Sequence, residues 1–155
     1  MAFGWLSSIK EISEIISGLS SIIKNNNATK DLLLRELRLN IKAFETARKS
    51  KITNYDNLLS LLKNEKIKAA REKKFNFSKI KHGEIHSHHI YNDRNKKYLG
   101  KNCEWLFKNI DEKIEDLRNQ KNYFGSLNKI DKTNVALQFS NLFYKMKLLA
   151  DFIRN

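Results

Sequence analysis

The chain contains no proline, only five glycines, one cysteine and a single valine among its 155 residues. Without proline, and with so little glycine, it lacks the turn residues of a β-sandwich, the periodicity of a collagen-like repeat and the glycine-rich loop of a nucleotide-binding fold. One cysteine, Cys103, excludes an intramolecular disulfide framework and a cysteine-rich zinc module. No run approaches the roughly 20 uninterrupted apolar residues of a conventional membrane-spanning helix. The most apolar stretch, residues 1–23, carries Lys10, Glu11 and Glu14 inside it and has no basic leader, which argues against a secretory signal. With no export signal and a lone cysteine, the cytoplasm is the expected compartment.

What is present is enough for one core. Hydrophobic residues make up 41% of the chain and aromatics 10%, well above the composition of a disordered polypeptide. Lysine and arginine outnumber aspartate and glutamate by 30 to 17, a net charge of +13. The abundance of Asn (18), Lys (23) and Ile (16) beside only seven Arg is the skew of an A/T-rich coding sequence. That skew accounts for lysine in preference to arginine; it does not account for the excess of positive over negative charge.

Apolar residues recur at helical spacing over most of the length. Leu6, Ile9, Ile12, Ile15, Ile16, Leu19, Ile22 and Ile23 form one stripe from about Phe3 to Lys24. A second helix is expected over about 30–50, capped by Thr29 and burying Leu33, Leu34, Leu37, Ile41 and Phe44. A third opens at Thr53 or Asn54 and runs through Leu58, Leu59 and Leu62 toward Arg71. Periodicity fails over about 75–95. It returns with Leu99, Cys103, Leu106, Ile110, Ile114 and Leu117, a helix predicted over 96–120. A last helix from near Asp131 buries Val135, Phe139, Leu142, Phe143, Met146, Leu149 and Ile153. These elements predict an all-α, single-domain bundle of four to five helices with one long irregular loop, its N-terminal helix (1–24) possible as a separable piece.

All but one unit of the charge excess lies between residues 24 and 102. Uncompensated like charge repels itself and suits an anionic partner, so non-catalytic binding of RNA or DNA is the leading expectation. Arg35, Arg38, Lys42, Arg48, Lys49, Lys66, Lys68, Arg71, Lys73 and Lys74 are the expected phosphate contacts. Basic and aromatic residues alternate from Lys73 to His82, which makes Phe75, Phe77 and the later Tyr91 candidates for stacking on bases. The competing reading of Phe75 and Phe77 is that they anchor the loop to the bundle. No helix-turn-helix, zinc-finger, RNA-recognition or KH signature supports sequence-specific readout.

Two other expectations come from different classes. The four histidines, His82, His86, His88 and His89, lie within eight residues. A metal site there would recruit Glu84, Asp93 or Cys103 as further ligands. A metal-independent ribonuclease would use His86, His88, His89 and Arg94 as base, acid and phosphate-holding cation. The favoured reading is a polar surface loop, with no metal and no cofactor expected. No arginine has a histidine five positions later, the spacing that one type of small all-helical ribonuclease carries near a helix start. The first helix, with Phe3, Trp5, Leu6, Ile9, Ile12, Ile16, Leu19 and Ile23 on one side and serines on the other, suits an anionic membrane surface, a second copy of the chain, or the core.

Overall fold

The computed structural model describes residues 8–26, 28–50 and 54–155; Phe3, Trp5, Leu6 and the possible cap Thr53 lie outside the described residues. The fold is all-α. Among the described residues six α-helices follow one another: α1 (Ile9–Ile22), α2 (Thr29–Lys49), α3 (Tyr55–Leu61), α4 (Glu65–Glu72), α5 (Cys103–Phe124) and α6 (Val135–Arg154). The count exceeds the expected four to five because the third helix is two. Leu62 leaves the helical conformation and is buried, and the Asn40 side chain from α2 supplies the hydrogen bonds that the backbone loses there. Its amide donates to the Lys63 carbonyl at 2.8 Å, and its Oδ1 accepts from the Lys63 N–H at 2.7 Å. Glu36 then takes the N–H groups of Lys66 and Ile67, at 2.8 and 3.2 Å, and so caps α4 from across the fold. Burial pushes the Glu36 carboxyl up, and these two N–H groups oppose the shift.

Asparagine sets most of the other starts. Asn54, Asn102 and Asn134 are the N-caps of α3, α5 and α6, their side chains accepting N–H groups of the first turn. Each such cap is worth about 1 kcal/mol. Asn102 places the start of α5 at Cys103 and not near 96, and Asn134 delays α6 from Asp131 to Val135. α5 stops at Gly125, whose left-handed φ of 83° suits a residue without a Cβ.

α2 and α6 are the hub. α1 packs on both, α5 packs on α6, and the short pair α3 and α4 fills the space between α2 and α5. Phe44, Phe107, Phe139, Phe143 and Phe152 are fully buried in one continuous core, with the Phe44 and Phe143 rings 5.2 Å apart. Ile12, Ile15 and Leu19 put the apolar stripe of α1 into that core, joined by Ile23. Part of its serine face is turned to α2: Ser13 donates to Glu45 at 2.9 Å, and Arg38 donates to Ser20 at 3.1 Å. No helix among the described residues is long and apolar enough to cross a membrane.

The aperiodic stretch is ordered by other means. It holds three 3-10 helices, Phe77–Lys79, Ser87–His89 and Asp93–Tyr98, and a single antiparallel bridge between Glu84 and Asn102. Ile85 donates to Lys101 at 2.8 Å and accepts from Gly100 at 3.0 Å, which closes the segment on itself. Phe77, Ile80, Ile85, His89, Asn95 and Tyr98 are its buried anchors.

A polar network fastens α4 to α5. Buried Asn64 donates to Asp111 at 2.8 Å and to Glu115 at 2.9 Å, and accepts from Arg118 at 2.6 Å. Lys68 pairs with Glu115 and Arg71 with Asp111, each at 2.5 Å. These donors, Asn64 first, then Lys68 and Arg118, hold the Glu115 carboxyl down at about 2. Replacing Asn64 by Leu takes one hydrogen-bond donor from the buried Asp111 carboxylate, leaving it to Arg71, and removes the bridge to Arg118. The expected cost is about 2–4 kcal/mol, read as a lower urea midpoint with an unchanged slope.

Candidate polyanion-binding cleft

α4 ends in a turn that the sequence reading placed within a continuing basic run. Lys73 donates to Ala69, Lys74 to Arg71 and Phe75 to Ala70, at 3.2, 3.1 and 2.9 Å. Lys74 sits at φ 56°, a left-handed conformation that costs a lysine about 1–2 kcal/mol. Immediately after it, Phe77 is buried, 5.5 Å from the Phe107 ring of α5, and Phe75 meets Phe77 edge-on at 5.3 Å. Phe77 is therefore an anchor with no face left for a base, while Phe75 is only half-buried.

Between this turn and the start of α2 lies a cleft of about 630 Å³. Lys30, Lys73, Lys74 and Lys79 line it together with Phe75 and Thr29, and no carboxylate among the described residues does. Thr29 is the first residue of α2 instead of its cap; the cap position is Ala28, which offers no side-chain hydrogen bond. The Thr29 hydroxyl instead accepts from the Lys73 ammonium. The positive end of the α2 dipole thus opens onto a cavity lined by four lysines. Lys30 and Lys79 were not among the expected contacts. Lys79 was legible in the same basic-aromatic run, whereas Lys30 joins it only through the tertiary approach of α2.

The other expected phosphate contacts divide into two sets. Arg35, Arg38, Lys42 and Lys49 follow one another along the edge of α2 that is exposed or half-exposed, with Lys49 3.4 Å from Glu45. Arg48 is half-exposed in the last turn of α2, and Lys66 is exposed on α4. Lys68 and Arg71 are engaged by Glu115 and Asp111 and serve the α4–α5 junction. Tyr91 is 79% exposed, in the connection between two 3-10 helices.

The histidine loop gathers three of its four imidazoles. The rings of His88 and His89 are 3.9 Å apart, and His86 is about 6 Å from each. His89 is buried with its ring edge-on to Phe152 of α6 at 5.0 Å, and its Nδ1 accepts the His86 N–H at 2.9 Å. Arg94 is directed elsewhere: its guanidinium lies 4.3 Å over the Tyr144 ring and donates to Asn141 at 2.8 Å. Among the described residues no three His, Cys, Asp or Glu side chains come together as a metal ion would require. Cys103 is buried and its thiol is pushed up to about 12, chiefly by desolvation.

No family model, curated protein or solved structure matches the chain.

Burial, then the neighbouring His88, His86 and Lys81, lowers the pKa of His89 below the ordinary 6.5. The unfolded chain therefore binds this proton first, and stability falls as pH drops through 6.5. In an NMR titration the His89 ring is expected to carry its proton on Nε2 and to titrate below 6.5. A midpoint at or above that value contradicts the buried, neutral assignment.

Proposed function

We propose that the protein is a non-catalytic binder of a polyanion, RNA or DNA, with the lysine cleft at the start of α2 as its principal phosphate contact. The observation that carries this reading is the cleft itself: four lysines and a half-buried aromatic wall around an uncapped helix start, with no lining carboxylate among the described residues. Lysines facing such a cleft release counterions when they meet phosphates, a term that is independent of sequence and sensitive to salt. The cationic edge of α2 extends the same chemistry along Arg35, Arg38 and Lys42. Phe75 supplies the stacking face that Phe77, held in the core, does not. Arg94, the cation that a ribonuclease reading requires, is spent on Tyr144 and Asn141, which favours binding over cleavage.

Anisotropy of a labelled single-stranded RNA and of a DNA duplex, titrated at about 50 and 200 mM salt, tests the proposal. Substituting Lys73, Lys74 and Lys79 together by Gln is expected to flatten the log–log salt dependence by about 0.7 per lost contact on the single strand and about 0.9 on the duplex. Phe75→Leu is expected to weaken the single strand by about 1–3 kcal/mol and leave the duplex unchanged. An unaltered affinity and slope in the triple variant would remove the cleft from the interface.

A further inference from the structure

A second cavity, of about 380 Å³, opens where α5, α6 and the 3-10 helix Asp93–Tyr98 meet. Its size falls at the small end of the ligand-pocket range of about 300–1,000 Å³. Three ammonium groups line it, Lys97, Lys113 and Lys145, together with the carboxylates of Glu112 and Asp116 and the side chains of Asn109, Asn141 and Tyr98. Lys145 is the unusual one. It is 4% exposed, in register with Leu142 and Leu149 of the buried face of α6. Its ammonium donates to the Asn109 side chain and lies 5.7 Å from the Tyr98 ring centroid, and no carboxylate among the described residues pairs with it. A buried charge is normally matched by an opposite one.

Both lining carboxylates already have partners. Asp116 is 3.7 Å from Lys113 and accepts from Gln120, and Glu112 is 3.7 Å from Arg71. Arg94, outside the lining, is held on the lining residue Asn141. What Lys145 senses is therefore a desolvated setting and the like charges of Lys113 and Lys97, which together bring its ammonium down to about 8. An anion seated among the three lysines relieves all of these at once.

We propose that this cavity binds the phosphate group of a small ligand, either inorganic phosphate or a phosphomonoester, with Lys145 as its buried anchor. Asn109 and Asn141 carry amide donors beside it, and Lys97 and Lys113 add charge at the wall. The site is separate from the lysine cleft and does not depend on the nucleic-acid reading.

The test is calorimetric titration of the full chain with inorganic phosphate and with AMP at pH 7, repeated on Lys145→Met and on the Lys73, Lys74, Lys79 triple variant. Saturable binding that weakens about tenfold or more in Lys145→Met and persists in the triple variant is the expected result. Tighter binding of AMP identifies a phosphomonoester, and equal binding identifies the free anion. Absence of saturable binding by the wild-type chain, or equal affinity in Lys145→Met, overturns the proposal.

A second measurement separates a ligand site from a merely structural amine. Because the folded-state value is depressed from 10.5 to about 8, the unfolded chain holds the extra proton between the two. The charged amine therefore costs stability, fully below about 8, and the cost is relieved as pH rises toward 10.5. Lys145→Met is thus expected to melt higher than wild type at pH 7, with the gap closing toward pH 10. A lower melting temperature at pH 7 would make Lys145 a structural donor to Asn109 and would also overturn the proposal.

Discussion

The clamp of Asn64, Asp111, Glu115 and Arg118 is the interaction on which the functional surface depends. It fixes where α4 begins, and an eight-residue helix with a fixed start has a fixed end. That end is the turn bearing Lys73, Lys74 and Phe75, so the clamp determines where those side chains meet the start of α2. Asn40 and Glu36 reinforce it from the other side by taking the backbone groups that the break between α3 and α4 releases. Six polar side chains with few alternatives inside the fold thus hold a short helix that propensity alone would not.

The same clamp sorts the basic residues. A lysine or arginine beside the carboxylates of the α4–α5 junction becomes part of the scaffold, as Lys68 and Arg71 do. One near a helix start and other lysines stays available to an external anion. The surplus charge is therefore not spread evenly over the surface. It is left at the start of α2, where no carboxylate among the described residues lines the cleft, along the exposed edge of that helix, and at Lys145, with which no carboxylate among the described residues pairs.

The segment between α4 and α5 shows how order arises without α-helical periodicity. Short 3-10 turns repeat every three residues, and a lone bridge needs only a pair of facing backbones, so neither leaves a stripe in the sequence. Its buried anchors, Phe77, Ile80, Ile85, His89 and Tyr98, are spaced by tertiary fit to α5 and α6. The histidines owe their proximity to the 3-10 turn Ser87–His89 and to Phe152, which gives His89 a packing role in the middle of a polar run.

The sequence by itself determined the helical class, the location of the apolar stripes of α1, α2, α5 and α6, and the concentration of charge before residue 102. Spacing of apolar residues and the sign of side chains are local properties, and local properties survive in a one-dimensional reading. The asparagine caps were legible as residues but were masked by a composition that made asparagine common everywhere. Lys145 was legible too, as a lysine at the register of an apolar stripe, though nothing local distinguished it from a lysine that reaches solvent. Tertiary structure alone decided which cations are consumed by Asp111 and Glu115, that Lys30 joins Lys73, Lys74 and Lys79, and that Phe77 is core while Phe75 is wall. Each of these depends on residues tens of positions apart, and whether a charge is answered or left open is settled only by what packs beside it.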